Sequence, residues 1–438
     1  MKEIDIIREL IDQDREYMND RVERDIETNR KGFFKLYFVD KEGKPINNFE
    51  VEIRQKSHDF SFGCNIFMLD EYDSPERNQL YKEKFKKLSN TAVVPLYWEG
   101  TEPEQGSLRY SKDSEPFYRR PPADAVVEYC LANNLRMKGH PLFWHEFIPE
   151  WLPRNKKELK PLILKRFQEI SQRYADKIEM FDVVNEPSRI WDCAMRDRAK
   201  CSNLVLDDDY CDWCFHLADD LFKRNQLFIN DAVGASFCDY RGKYSGYYLH
   251  IKDMLSRGVR IDAIGMQCHT WLGRGFENVF NPRRLYHVLD TYGSFNKPIH
   301  ISEISIPSVL GDEPHENLQA ELIEVLYRVA FSHKNVEGLV WWNLPDDGIL
   351  TQVRTTENLP SSGLLNGDYR EKEAYWVLDN LINKQWRTDL KLPSQGKSHV
   401  SFRAFYGMYD IYVNGELSRQ IHLSKDGLDE FIIETHII

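Results

Sequence analysis

Two glutamates stand where carboxylates are costly to place. Glu186 closes the apolar run FDVVNEP (181–187), and Glu303 interrupts IHISEISIP (299–307). Both runs read as buried strands, and strand interiors avoid Asp, Asn and Pro. A strand that finishes on Asn185, Glu186 and Pro187 either stops there or delivers Glu186 to a site. Two carboxylates that face one another in an aromatic, amide-rich cleft suit glycoside hydrolysis. One must be protonated to help a leaving oxygen depart, and the other ionised to attack the anomeric carbon. Neighbours set that difference. His269 is placed to donate to Glu303, and Asn185 to reach a sugar 2-hydroxyl, where hydrogen bonds strengthen at the transition state.

Those residues need a frame that holds them at one depth. From about residue 60 short apolar strands alternate with longer amphipathic runs such as KELKPLILKRFQEISQRYADK. The strand candidates are FSFGCNIF (60–67), TAVVPLYW (91–98), RMKGHPLFW (136–144), IEMFDVVNE (178–186), QLFINDA (226–232), IDAIGMQCHT (261–270), PIHISEISI (298–306) and GLVWWNL (338–344). Eight β-then-α units predict an α/β chain folded as a (β/α)8 TIM barrel. No Gly-rich phosphate loop follows any of these strands, which argues against a nucleotide-binding sheet. In such a barrel the chemistry gathers at the C-terminal strand ends. Strand 3 ends in His140, Trp144 and His145, strand 4 in Asn185 and Glu186, and strand 5 in Asn230 and Asp231. Gln267 and His269 close strand 6, Glu303 strand 7, and Trp342 with Asn343 strand 8. Cys268, between Gln267 and His269, should point away from the cleft by strand alternation.

The barrel is expected over 60–390, preceded by a segment 1–59 that carries a charged helix near 4–28 and a β-hairpin near 33–55. The tail 391–438 is β-rich again. A hairpin alone cannot bury its apolar face. The hairpin and the tail from about 397 are therefore expected to pack together as one small accessory β-sandwich.

Composition narrows the partners. The formal net charge of −12 argues against nucleic acid, whose phosphates call for Lys and Arg, and disfavours an anionic membrane surface. Aromatics make up 13% of the chain, with 10 Trp and 22 Tyr, enough to line a sugar cleft even though most serve as ordinary core. No apolar run approaches the roughly 18 residues of a membrane span, and the charged N-terminus lacks a signal core. As given, the chain reads as cytoplasmic; a trimmed leader would make it secreted. The 8 cysteines are scattered, and Cys211 and Cys214 read as two packed thiols on a helix rather than a metal or redox pair.

The segments KGHPLFWHEFIPEWL, FDVVNEP, LFINDA, IDAIGMQCHT, IHISEISIP and LVWWNLPDD, with TEPEQGSLRY after strand 2, resemble the strand-end motifs of glycoside hydrolase family 10 in the family's own order. The resemblance covers roughly residues 60–385 and implies a retaining endo-β-1,4-xylanase-like enzyme that works without metal or cofactor on a carbohydrate substrate. It implies that Glu186 is the acid/base and Glu303 the nucleophile, with Ser302 in place of the family's Thr. It also implies a substrate-binding shell of His140, Trp144, His145, Asn185, Gln267, His269, Trp342 and Trp98, supported by Asn230 and Asp231. After His145 EFIPEW stands where the family has a Ser-x-Gln-like run, DDGILTQ stands where it has the second Trp of the strand-8 loop, and the largest departures fall on strand 2. There the family carries Glu-Asn-x-x-Lys-Trp, whose polar groups bind sugars on the non-reducing side of the cut. Here Val93, Val94 and Tyr97 take the three polar positions, and only Trp98 remains. The expected activity is cleavage of β-1,4-xylan or xylo-oligosaccharides by double displacement; the alternative is the same mechanism on an aryl, terpenoid or decorated oligosaccharide glycoside. A metal-dependent barrel hydrolase is disfavoured because no His-x-His pair sits on a strand. A catalytically dead lectin is disfavoured because both glutamates are present.

Overall fold

The computed structural model describes residues 3–189, 209–270, 276, 278–310, 313–346 and 361–435. Eight parallel strands close into a barrel: Ser61–Asn65, Thr91–Pro95, Arg136–His140 (resumed at Phe143–Trp144), Met180–Asn185, Gln226–Asp231, Ala263–His269, Ile299–Ser305 and Val336–Trp341. Each strand pairs with its sequence neighbours, and the last returns to the first through Gly338↔Ser61 and Leu339↔Phe62. All eight fall on the expected segments, so the chain is a (β/α)8 barrel. Helices cover the outside and are capped by their own sequence. Ser74 accepts from the Arg77 N–H, Asn155 from Lys157 and Asn281 from Arg284. Such caps satisfy amides that the first helical turn leaves free. Cys211 and Cys214 are buried on the helix Tyr210–Leu221, and Cys268 is buried in the layer between strands and helices.

The N-terminal segment differs from expectation in two ways. The single helix near 4–28 is two, Glu3–Gln13 and Arg15–Asn29, which break at Asp14 where its carboxylate binds Arg283 and Asn281. The two hairpin strands do not pair with each other. Lys31–Val39 lies between His399–Phe405 and Glu430–Glu434, whereas Glu50–His58 lies between Asp389–Pro393 and Gly407–Val413, with Glu416–Leu423 at the edge. The DKEGKP turn closes only locally, with the Asp40 N–H donating to the Lys44 carbonyl at 2.9 Å. Side by side, the two strands would have left one apolar face in water. In opposed sheets Phe34, Leu36 and Phe38 meet Val51, Ile53, Tyr409 and Ile411 across a shared core, with Phe38 and Phe49 4.3 Å apart. The accessory sandwich is thus built from both ends of the chain. No helix among the described residues is long and apolar enough to cross a membrane.

Candidate active site

The strands bring most of the expected residues together at one end of the barrel. Trp144 aligns with Asn185, Asn185 with Asn230, Glu303 with Gln267, and Ser305 with His269. Register shifts interrupt strand 4 between Asp182 and Val184 and strand 7 between Ile301 and Ile304. Irregularities of this kind re-aim side chains beside active sites. Glu186 itself turns to φ +51°, with its N–H donating to the Asn230 carbonyl at 2.8 Å. A left-handed non-glycine costs of order 1–3 kcal/mol and persists only where its surroundings impose it. The strand therefore does more than stop at Asn185: its next residue is turned and held against strand 5.

Glu303 is 5% exposed and meets three donors. Asn230 Nδ2 donates to Oε1 at 2.8 Å, Gln267 Nε2 to Oε1 at 3.0 Å, and His269 Nε2 lies 3.0 Å from Oε2. The donors are themselves fixed. Asn230 and Gln267 also donate to Asn185 Oδ1, at 2.8 and 3.2 Å, while Ser302 Oγ donates to Asn230 Oδ1 at 2.5 Å. That pattern leaves each amide one orientation. Ser305 Oγ lies 2.8 Å from His269 Nδ1, so the ring presents Nε2–H to Glu303 when Ser305 donates to Nδ1. Gly265 makes the arrangement possible: a Cβ there would lie 2.3 Å from Asn230 Oδ1. Asp231 turns the other way, accepting from the hydroxyl of Ser188 at 2.8 Å and from the amide of Ala232. It braces the loop after strand 4.

His140 belongs to a buried chain that the sequence reading missed. Its Nδ1 lies 2.8 Å from Asp182 Oδ2, Asp182 Oδ1 lies 2.8 Å from Lys138 Nζ, and His140 Nε2 is 3.9 Å from Glu303 Oε1. The signal was available, because an Asp inside one buried strand and a Lys inside its neighbour require a partner. Burial alone would raise the pKa of Asp182; the charge of Lys138 and the bond from His140 outweigh it and hold the carboxyl below its usual range. Asp182→Ala would leave Lys138 alone in the barrel, and breaking such a pair costs about 3–5 kcal/mol. Urea unfolding should show a loss of that order. The folded carboxyl is the stronger acid, so its stabilisation is full above the unfolded value of about 3.9 and drains as the pH falls from there through the lower folded value. Asp182→Ala should flatten that acid limb of the stability curve.

The aromatic residues divide. Trp144 and Trp342 join Phe67, Val93, Tyr97 and Val340 in an apolar cluster at the mouth, and both indole N–H groups are buried without a partner among the described residues. Trp342 packs edge-on to His140 at 5.5 Å and to His269 at 6.2 Å. His145 is buried 4.0 Å from the Glu146 carboxylate. Trp98 does not join them. Its Nε1 donates to Glu102 at 3.0 Å and its ring packs on Trp151 and Arg166, within the core between strands and helices. The assignment of Trp98 to substrate binding is therefore corrected. The chain leaves the barrel strand at Pro95 and enters a short helix, Trp98–Thr101, that turns the ring outward. Among the described residues no group of three His, Cys, Asp or Glu is placed to hold a metal ion.

Comparison with known proteins agrees with this geometry. The model of glycosyl hydrolase family 10 matches residues 54–381, and the chain belongs to that family. Among curated proteins it is similar to the anti-sigma-I factor RsgI6 of Acetivibrio thermocellus, 28% identical over 90% of this chain and 46% of that protein. It is also similar to endo-1,4-beta-xylanase 1 of Arabidopsis thaliana, 25% identical over 93% of this chain and 39% of that one. The chain thus spans less than half the length of these two relatives. Its fold is similar to that of xylanase 10B from Thermotoga petrophila in complex with xylobiose, with a TM-score of 0.57 and 21% identity over 75% of this chain and 95% of that one.

Proposed function

We propose that the protein is a retaining β-glycoside hydrolase acting on β-1,4-xylan or xylo-oligosaccharides. The observation that carries this is the Glu303 carboxylate, met by Asn230, Gln267 and His269. Glu303 attacks the anomeric carbon while Glu186 passes its proton to the glycosidic oxygen, and the C–O bond to the leaving sugar breaks. Glu186 then takes a proton from water, whose oxygen displaces Glu303 from the anomeric carbon. Gln267 and Asn185 lie within one hydrogen-bonded group with the nucleophile, and the unpartnered indole N–H groups of Trp144 and Trp342 are donors that sugar hydroxyls would satisfy.

The strand-2 side supports a second reading, the same mechanism on a non-xylan glycoside. Val93 and Tyr97 lie in an apolar cluster, so on this side the hydroxyls of a xylose chain would lose water without gaining hydrogen bonds from those positions. Both readings face one experiment. Hydrolysis of xylan, xylo-oligosaccharides and plant aryl glycosides is followed by NMR of the anomeric proton. The β-anomer is expected first, from a substrate in the xylose series. The α-anomer first would overturn double displacement, and turnover confined to aryl glycosides would select the second reading.

A further inference from the structure

The strand-2 side of the mouth is walled rather than merely stripped of polar groups. Tyr97 is the hub of the wall. Its ring lies 5.7 Å from Phe67, 6.0 Å from Trp144 and 5.6 Å from Phe147. The same ring meets His140 at 5.4 Å, and Phe67 meets Trp342 at 5.3 Å. The wall therefore abuts His140, whose Nε2 is 3.9 Å from Glu303 Oε1, and Trp342, which packs on His140 and His269. Tyr97 is 2% exposed and Phe67 fully buried, so the rings fill this space themselves. Behind Tyr97 the buried Arg120 guanidinium lies 3.8 Å from the ring centre and 5.6 Å from those of Phe67 and Phe147. A cation stacked on a desolvated ring holds it in place. Gly100 allows that approach, because a Cβ there would stand 2.8 Å from Arg120 Cγ.

Glu186 and Glu303 stand on strands 4 and 7. A sugar chain drawn between them runs from the arc of strands 8, 1, 2 and 3 to the arc of strands 5 and 6. Among the described residues, the wall stands across the first arc beside His140 and Trp342, where a sugar bonded to Glu303 would rest. A further sugar there would have to bury its hydroxyls against Phe67 and Tyr97, which offer a hydrated ring little in return.

We propose, building on the glycosidase reading above, that the site is blind-ended: the sugar transferred to Glu303 is the terminal one of its chain, and Tyr97, braced by Arg120, sets that limit. The protein then trims a chain from its end. Two measurements on the whole chain test this. With nitrophenyl β-xyloside and nitrophenyl β-xylobioside, kcat/KM is expected to favour the single sugar by at least about tenfold, the scale of a discrimination by fit. With xylotetraose labelled at its reducing end, the first products are expected to be unlabelled xylose and labelled trisaccharide. Labelled disaccharide as the first product, or preference for the xylobioside, would overturn the proposal and leave the glycosidase reading standing. No hydrolysis of any of the three would overturn the proposal together with the xylan reading, and leave only the non-xylan one. Tyr97→Ala is expected to move the ratio about tenfold toward the xylobioside. An unchanged ratio in a variant with wild-type circular dichroism would remove Tyr97 from the role. The wild-type product pattern decides the blind end even where that variant fails to fold.

Discussion

Glu303→Ala is expected to lower turnover by on the order of 10⁴- to 10⁶-fold, the loss seen when a covalent nucleophile is removed from a site whose members act as a unit. Alanine leaves no atom to form the glycosyl intermediate, and the neighbouring donors cannot replace it, because Asn230, Gln267 and His269 all point to the vacated oxygens. Stability should change little by comparison. The space left is lined by those same polar groups and can take water, which satisfies them. That contrast separates catalysis from a structural role. A carboxylate that merely tied three strands together would cost stability when removed, while the remaining activity fell only in proportion to the unfolded fraction. The measurement is kcat on a nitrophenyl β-glycoside beside a urea unfolding curve for the same preparation. A variant that unfolds early but retains turnover when folded would show that Glu303 is a tie and not the nucleophile.

The sequence disclosed what depends on local pattern and left hidden what depends on contacts between distant segments. Eight strand candidates became eight barrel strands because short β-rich runs bounded by turns carry their own signal. Glu186 stands out because a carboxylate at the end of an apolar run breaks the strand's preference, and Glu303 because it interrupts one. The same logic applies to Asp182 and Lys138, which interrupt buried strands just as openly and answer each other's charge. Trp98 went wrong for a different reason. Its type and place in the motif were right, but strand 2 ends at Pro95 and the turn that follows swings the ring into the core against Arg166, a residue 68 positions further along. The paired hairpin failed likewise, since two adjacent amphipathic strands do not say whether they share a sheet or face each other across one. Tyr97 is legible in sequence only as the loss of a polar group. That it gains a wall follows from Phe67 and Phe147, which follow strands 1 and 3, and from Arg120 further along its own connection.

Glu186→Ala should have an effect that depends on the leaving group, and this is the sharpest test of which carboxylate does what. A sugar leaving group is a poor one and needs a proton as the C–O bond breaks, so hydrolysis of an oligosaccharide should fall by about 10²- to 10⁴-fold, the usual contribution of a general acid. A dinitrophenolate leaves without help, so the first step on a dinitrophenyl β-glycoside should be nearly spared. The second step still needs a base to take the proton from water, and Glu186 is the group assigned to it. The glycosyl-enzyme on Glu303 should therefore accumulate. Its signature is a burst of dinitrophenol close to one equivalent of enzyme, followed by a slow steady state. The alkaline limb of the kcat/KM profile, which in the wild type reports loss of the acid's proton, should vanish in the variant for the same substrate. Reversed roles would give the opposite pattern: Glu186→Ala would then lose the first step on every substrate, with no burst, and Glu303→Ala would be rescued by the better leaving group. Alanine takes the same left-handed backbone at no greater cost than glutamate, and the bond from the residue 186 N–H to the Asn230 carbonyl does not depend on the side chain. The strand still delivers its end to the mouth, and only the proton is gone.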